Sequence, residues 1–284
     1  MKCLDLKKSN TLKGGQAADP SVSLARELIG NKLKEKGLNE FAFLQPNQSE
    51  ASETVRSIVV VLFPYFPGEF PDKEQKGNLS LYCQGLDYHV VVPRYLDPIG
   101  EALKEVFPDL EFHVYADTGP FNDRSLALRA GLGIRGLNQM LIHERLGSYF
   151  FIACMTLSVP IADKQSAAKE SPCLRCGRCV KACPGGCLGK ETFDYQRCRS
   201  YITQKKGTLE PWEVEILKKD SLVFGCDICQ TVCPMNRKAA LSEIKEFIES
   251  AVPRVESGCE ISGRAYEWRG KKVIERNIAI LEKD

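Results

Sequence analysis

Cysteine spacing limits what this chain can be more than any other feature of its sequence. Six cysteines lie within residues 173–201, CLRCGRCVKACPGGCLGKETFDYQRCRSY, and nine of the thirteen cysteines lie between Cys173 and Cys233. The N-terminal residues MKCLDLKKSNTLKGG are polar, and no segment approaches the roughly 20 apolar residues of a membrane span. We therefore expect a cytoplasmic protein with no membrane partner. Because disulfides are rare in a reducing cytosol, the cysteine-rich segment predicts a metal centre.

The first cysteine run, Cys173-x2-Cys176-x2-Cys179-x3-Cys183-Pro184, has the spacing of bacterial ferredoxins that bind [4Fe–4S] clusters. Two-residue gaps let a tight loop place three thiolates around one face of a cube, and the next step carries the fourth thiolate to another cluster. The proline ends the loop and has no amide hydrogen that could compete. This run therefore predicts two clusters rather than one.

The second run, Cys226-x2-Cys229-x3-Cys233-Pro234, is one cysteine short of the first, and Cys198 is the natural replacement. Crossing the ligands as two-cluster ferredoxins do gives each cluster four cysteines. Cys187 remains either as a small buried side chain or as a competitor for the position of Cys198. The predicted ligands are Cys173, Cys176, Cys179 and Cys233 for cluster one, and Cys183, Cys198, Cys226 and Cys229 for cluster two.

A pair of structural zinc sites is the alternative interpretation, because C-x2-C is also a zinc spacing. Zinc does not account for the two x3-Cys-Pro endings, and three histidines are too few for a histidine-built centre. The isolated cysteines are expected to act as small apolar side chains. They are Cys3, Cys83, Cys154 and Cys259.

Elsewhere the sequence alternates between helical and strand-like patterns, with a polar linker at residues 162–171 before the cysteine-rich part. In the first helix the apolar residues Leu24, Leu28 and Leu33 recur at helical spacing. The predicted helices are 21–38, 96–107, 123–133, 240–252 and 270–281, and the predicted strands are 57–65, 111–117 and 148–159.

Several co-linear stretches between about residues 55 and 236 resemble the tRNA epoxyqueuosine reductases, which use cobalamin and two [4Fe–4S] clusters. They are YCQGLDYH (82–89), DTGP-x3-R-x3-LRAGLG-x2-G-x-N (117–138), GSYFFI (147–152), the cysteine pattern and CRSYIT (198–203). A fainter match, GRAYEWRGKKVIERNIAIL (263–281), resembles the start of the family's C-terminal helical repeats.

The resemblance implies an α+β fold. A nitroreductase-like α/β core with a cobalamin pocket would occupy residues 1–165, and a two-[4Fe–4S] ferredoxin-like domain residues 166–238. Residues 239–284 would form a short C-terminal helical stub left from truncated repeats. Corrinoid-dependent reductive dehalogenases share this architecture, so part of the resemblance reports the cofactor rather than the substrate.

The resemblance also implies site residues. Asp117 occupies the family's proton-donor position, and a raised pKa through burial against the corrin would suit an acid that works near neutral pH. The alternative from the residues alone is that Asp117 caps the turn at Thr118-Gly119-Pro120. The candidate cofactor contacts are Cys83, Asp117, Thr118, Asn138, Tyr201 and Thr203.

Charge gives a further hint about partners. The net charge is only +2, but residues 169–206 hold nine Lys and Arg against three Asp and Glu. Such a patch could meet tRNA phosphates, balance the anionic clusters, or attract an acidic electron donor such as a ferredoxin or flavodoxin.

The leading hypothesis is therefore a cobalamin- and iron–sulfur-dependent oxidoreductase that reduces epoxyqueuosine in tRNA or a related substrate. Two rivals remain at this point. One is a corrinoid reductase of another substrate, such as an organohalide, and the other is a non-catalytic iron–sulfur electron carrier.

Overall fold

The architecture was obtained as a computed structural model, which describes residues 19–72, 74–162, 173–189 and 192–283. It combines a four-stranded antiparallel sheet, two small two-stranded sheets and surrounding helices. The strands are β1 Phe41–Leu44, β2 Ser57–Pro64, β3 Asn78–Leu79, β4 Phe112–Ala116, β5 Ile134–Arg135, β6 Leu141–Ile142, β7 Phe150–Leu157 and β8 Leu222–Phe224. The helices are α1 Pro20–Glu35, α2 Tyr88–Leu103, α3 Asp123–Arg129, α4 Arg178–Ala182, α5 Arg199–Gln204, α6 Pro211–Leu217, α7 Ile228–Thr231, α8 Lys245–Ile248 and α9 Lys271–Glu282.

Strand β2 is the centre of the main sheet, whose order is β1-β2-β7-β4. It pairs with β7 along its whole length, from Ser57↔Leu157 to Pro64↔Phe150. All eight of its residues are buried, because both faces of the sheet are covered. That explains why the sequence shows a continuous apolar run here instead of alternation.

The two faces of β2 support two separate cores. Val59, Val61 and Phe63 pack in the core beneath α1 and α2. Ile58, Val60 and Leu62 pack instead against α3 and the β5–β6 hairpin. The sheet is therefore the middle layer of three, and the carboxyl end of its edge strand β4 opens towards the cysteine-rich part.

Helix α2 begins well before the predicted start at residue 96. Asp87 accepts the backbone N–H of His89 at the start of the helix, and Pro93 and Pro98 both lie inside it. Prolines lack the amide hydrogen and usually end a helix, so the sequence pattern hid the first two turns.

The predicted helix 240–252 is wrong except for the single turn α8. The amides of Ala240 and Ser242 donate to the carbonyls of Arg145 and Phe66, and the hydroxyl of Ser242 donates to Pro64. These contacts with the core hold residues 240–242 out of a helix. In α1 the predicted face is also shifted, since Leu24 is 53% exposed while Ala25, Ile29 and Leu33 are fully buried.

Packing crosses the predicted domain boundaries at 165 and 238. Strand β3 pairs with β8 in parallel, and the Asn236 amide donates to Ser148 Oγ at 2.9 Å. Ile244 and Phe247 complete the core under α1 and α2. The division into three domains stays a prediction. The linker beyond residue 162, and Cys3, lie outside the described residues.

In the described ranges, none of the helices has the length and apolar character needed to cross a bilayer.

The register of α1 can be tested by paired substitutions. Ile29→Ala should lower the free energy of unfolding by about 2–5 kcal/mol, because it leaves a cavity in a filled core. Leu24→Ala should change it by less than about 0.5 kcal/mol, because that side chain is largely exposed. Urea unfolding of the iron-loaded protein measures both, and equal losses would contradict the observed face.

Candidate active site and iron–sulfur centres

The cysteines predicted for cluster one line one small cleft, here called the first cleft. Cys173, Cys176 and Cys179 face Cys233 across it. Helices α4 and α7 pack together, which brings the two cysteine runs into contact. The loop before α4 turns tightly because Arg175 and Gly177 have φ values of 47° and 73°.

The cysteines predicted for cluster two line a larger opening of about 560 Å³, here called the main cleft. Cys183, Cys198, Cys226 and Cys229 form one wall, and residues of the main-sheet core form the opposite wall. The two clefts therefore divide the eight cysteines in the crosswise manner that the spacing predicts. Within the described ranges no three His, Cys, Asp or Glu side chains converge on a single-ion site.

Cys187 is the fifth cysteine of the main cleft. Its sulfur lies 3.2 Å from that of Cys183, and its side chain is 5% exposed beside Leu188. Four thiolates saturate a [4Fe–4S] cluster, so one of the five sulfurs is spare. The position fits either interpretation given above for Cys187.

Burial makes the sulfurs of the second run costly to ionise without iron. It raises the pKa of the Cys226 thiol to about 12 and that of Cys229 well above its ordinary value. Thiolate ligation must therefore release protons and replace them with the positive charge of iron.

A buried carboxylate fixes the second cysteine run to the core. Asp227 lies between Cys226 and Cys229 and accepts the Ser80 hydroxyl at 2.5 Å and the Leu81 amide at 2.9 Å. Burial raises the pKa of Asp227 to about 6. These two hydrogen bonds set the position of the cluster-two wall relative to α2 and the main sheet.

Asp117 directly follows β4 and lines the main cleft. Its φ of 65° lies in the left-handed region, which non-glycine residues rarely adopt. Its exposed carboxylate accepts the Tyr88 hydroxyl at 2.9 Å. Among the described hydrogen bonds, this carboxylate accepts none from the turn that follows, so the capping alternative is not observed.

Asp123 is a second carboxylate in the same cleft. Its Oδ2 accepts the Asp117 amide at 3.0 Å, and its Oδ1 is buried without a partner among the described residues. Burial raises the pKa of Asp123 to about 6. The cleft thus holds two neighbouring carboxyl groups, of which Asp123 is the more enclosed.

Aromatic rings form part of the main-cleft wall that belongs to the main-sheet core. Tyr88 stacks on Phe151 with ring centroids 4.1 Å apart and planes 14° apart. Burial beside Asp117 raises the pKa of Tyr88, so its hydroxyl stays a donor. A flat, largely apolar surface beside polar groups is suited to a large ring-shaped cofactor.

The predicted cofactor contacts divide into two groups. Asp117 and Asn138 line the main cleft, and Asn138 also lines the first cleft. Thr118 and Tyr201 are not among the described residues that line the main cleft. Tyr201 makes an edge contact with Tyr195 instead.

Two predicted contacts, Cys83 and Thr203, have structural roles instead. Both are completely buried. The Cys83 thiol donates to Ser80 O at 3.1 Å, and the Thr203 hydroxyl accepts the Gly225 amide at 2.9 Å. Enclosed in this way, neither side chain reaches the main cleft.

Tyr88, Phe151 and Arg199 line the main cleft but were not predicted from the sequence as site residues. All three lie within or beside stretches that carry the family resemblance. The packing of α2 against β7 brings the rings of Tyr88 and Phe151 together. It joins residues far apart in the chain, so no local sequence pattern reveals it.

Comparison with known proteins identifies both parts of this arrangement. Residues 172–236 match a family described as a 4Fe-4S double cluster binding domain. Residues 47–118 match the family described as epoxyqueuosine reductase QueG, DUF1730. Epoxyqueuosine reductase of Listeria monocytogenes is 31% identical over 296 residues, which cover 94% of this chain and 75% of the relative.

The chain belongs to the epoxyqueuosine reductase family. A crystal structure of an epoxyqueuosine reductase with an epoxyqueuosine-modified tRNA-Tyr stem loop is 26% identical, with a TM-score of 0.78 over 92% of this chain and 81% of that one. A Bacillus subtilis structure, described as having an aspartate-bearing catalytic loop swung out of the active site, is also 26% identical. Its TM-score is 0.74, over 92% of this chain and 81% of that one.

Membership in the epoxyqueuosine reductase family makes this protein an oxidoreductase with two [4Fe–4S] clusters. The zinc interpretation and the electron-carrier rival are thereby set aside. The fold class is confirmed as a mixed helix–sheet fold with a double-cluster domain.

The identity of the fourth ligand of cluster two can be tested directly. Cys198→Ser should reduce the iron content of oxygen-free protein from about eight atoms to about four, because cluster two loses a ligand. Cys187→Ser, the matched control, should keep about eight. Iron analysis and electron paramagnetic resonance of the reduced protein measure this, and the reverse pattern would make Cys187 the ligand.

Proposed function

We propose that this protein removes the epoxide oxygen of epoxyqueuosine in tRNA, with electrons passing from the two clusters to a cobalamin in the main cleft. The observation that carries the proposal is the composition of that cleft. One wall holds the cysteines assigned to cluster two, and the other holds Asp117, Asp123 and the Tyr88–Phe151 stack. A cofactor bound between them would touch an electron source and a proton source together.

The walls of the main cleft fit a corrinoid. Apolar and aromatic side chains, including Tyr88, Phe151 and Phe121, line it together with polar groups such as Asn138. When bound, cobalamin supplies a strongly reducing cobalt centre. The residues that line the cleft would hold it beside the cysteines assigned to cluster two, and the apolar ones would exclude water from it. The antiparallel main sheet covered by helices on both faces supports the nitroreductase-like interpretation of this core.

Removal of an epoxide oxygen as water requires two electrons and two protons. The clusters carry one electron at a time, so each turnover uses the path twice. Asp117 is the proposed proton donor, held in the cleft by its hydrogen bonds from Tyr88 and to Asp123. Asp123, whose pKa is raised to about 6, is suited to return a proton to Asp117 between steps.

A separate basic cavity supports a tRNA substrate. This cavity, of about 640 Å³, lies between the loop after α5 and the start of α9. Its lining includes no Asp or Glu but has five basic residues, namely Lys206, Arg269, Lys271, Lys272 and Arg276. Trp268 beside it is 58% exposed and stacks with Arg269 at 3.6 Å. Cations around an exposed aromatic ring favour a nucleic-acid backbone with unstacked bases.

Helix α5 connects this basic cavity to the main cleft. Arg199 and Ser200 at its start line the main cleft, and Lys206 just beyond its end lines the basic cavity. An RNA stem held at the basic cavity is therefore within reach of the main cleft. A tRNA substrate also agrees with the cytoplasmic location that the sequence predicts.

The first cleft is the proposed receiving point for electrons. Leu174 is 59% exposed, and Arg175, Cys176 and Arg178 beside it are also exposed. An exposed apolar residue among cations suits an acidic one-electron donor of the ferredoxin or flavodoxin type. Cluster one then passes electrons to cluster two.

Replacement of Asp117 tests the proton-donor assignment. Asp117→Asn should lower turnover on epoxyqueuosine-containing tRNA by at least about 10²-fold, because a positioned general acid contributes that much. Asp123→Asn should lower turnover by a smaller factor, because Asp123 is proposed only to return a proton to Asp117. Iron content and the absorbance shift of added cobalamin should not change in either variant. If only the Asp123 variant is inactive, the two roles are exchanged.

Replacement of two exposed lysines of the basic cavity, Lys206 and Lys272, tests the RNA site. Lys206→Gln combined with Lys272→Gln should weaken binding of a tRNA stem loop and reduce the slope of log Kd against log salt by about 1.4–1.8, because two phosphate contacts are lost. Lys32→Gln with Lys34→Gln on α1 is the matched control and should leave both unchanged. Equal salt slopes in all three proteins would contradict the proposed RNA contact.

A further inference from the structure

Arg199 is the most completely buried charged side chain near the clusters. It is 1% exposed, and it directly follows Cys198 in the chain. Its guanidinium donates to the carbonyl oxygens of four residues at 2.7–3.1 Å. These residues are Leu217, Asp220, Leu222 and Gly225.

The carbonyl oxygens fix the position of Arg199 but do not neutralise its charge. Among the described residues no carboxylate forms a salt bridge with it. The groups whose charges act on it are the carboxylates of Asp220 and Asp227 and, once it is ionised, the Cys226 sulfur. Asp227 already accepts two hydrogen bonds from Ser80 and Leu81.

A buried cation is costly unless an opposite charge compensates it. A [4Fe–4S] cluster with four thiolates carries a net charge of about −2 when oxidised and about −3 when reduced. Arg199 lies between Cys198, its neighbour in the chain, and Cys226, its neighbour in space. Both cysteines are assigned to cluster two, so that cluster is the largest negative charge Arg199 would face.

We propose that Arg199 is the counter-charge of cluster two and sets its reduction potential. The step is the addition of one electron, delivered by a one-electron donor through cluster one, to oxidised cluster two, with no bond made or broken. A fixed cation stabilises the extra negative charge of the reduced form. Arg199 is thus a positioning residue that makes cluster two easier to reduce than it would be beside a neutral side chain.

This inference goes beyond the proposed function, because it concerns electron flow and holds whatever the substrate is. Its readout is a potential, which is independent of turnover. The two clusters also provide an internal comparison, because cluster one is assigned to other cysteines. A failure here would leave the substrate assignment intact.

Redox titration of iron-loaded, oxygen-free protein followed by electron paramagnetic resonance tests the proposal. In Arg199→Gln the ratio of reduced to oxidised cluster two at a fixed potential should fall at least tenfold, equivalent to about 59 mV, with cluster one unchanged. Arg276→Gln is the matched control, because its guanidinium also donates to carbonyl oxygens, of Lys205 and Gly207, but faces Glu213 rather than a cysteine. An unchanged cluster-two potential in the iron-loaded Gln variant would overturn the proposal.

Arg199→Lys keeps the proposal testable if the Gln variant loses its iron. Lysine has an ordinary pKa of about 10.4, and burial lowers it. Its charge can therefore be removed by raising the pH, while arginine stays charged. The cluster-two potential should fall with rising pH more steeply in the Lys variant than in the wild type. The other titratable groups near position 199, namely Cys226, Asp220 and Asp227, are present in both proteins and so do not account for a difference. Identical pH dependence in the two proteins would contradict the inference.

Discussion

The contact between the two cysteine runs is the constraint on which the rest of this structure depends. Each run contributes cysteines to both clefts, and the packing of α4 against α7 holds the runs together. Under the proposed ligand assignment, residues 173–187 and 226–233 could not separate without breaking two clusters. Asp227 connects the second run to Ser80 and Leu81, and Asp117, just after the carboxyl end of β4, lines the same cleft as the cysteines assigned to cluster two.

The chemistry of the main cleft follows from this placement. The core wall offers carboxyl groups and stacked rings, and the cluster wall offers sulfur and a buried cation. Packing joins the two walls, since β3 pairs with β8 and residues after 238 complete the main core. Substrate, proton and electron would therefore meet at a junction of distant chain segments. The loop at Asp117 joins that junction with a left-handed backbone, held by hydrogen bonds with Tyr88 and Asp123.

Local patterns predicted the parts of the fold that local forces determine. The buried strand β2 agrees with its continuous apolar run, the edge strand before Asp117 and helix α9 agree with their predicted ranges, and the cysteine spacing predicted the two groups of four cysteines that line the clefts. The start of α2 was missed because Pro93, which lies inside the helix, is a residue that usually ends one. Residues 240–242 were predicted as helix but donate their amides to the core.

The candidate site was less accessible to sequence reasoning. Asp117 and Asn138 came from the family resemblance. Asp123 and Arg199 acquire their importance from burial and from partners far along the chain, such as Gly225. Cys83 and Thr203 share the motifs of the site but face away from it, because a motif specifies neighbours in sequence and not the direction of each side chain.

Anomalous scattering from crystals of oxygen-free protein prepared with iron and cobalamin tests the central claim most directly. The account predicts two iron cubes, one held by Cys173, Cys176, Cys179 and Cys233 and the other by Cys183, Cys198, Cys226 and Cys229. It also predicts a cobalt atom in the main cleft on the side of the second cube. Cubes ligated within single cysteine runs, or cobalt bound elsewhere, would contradict it.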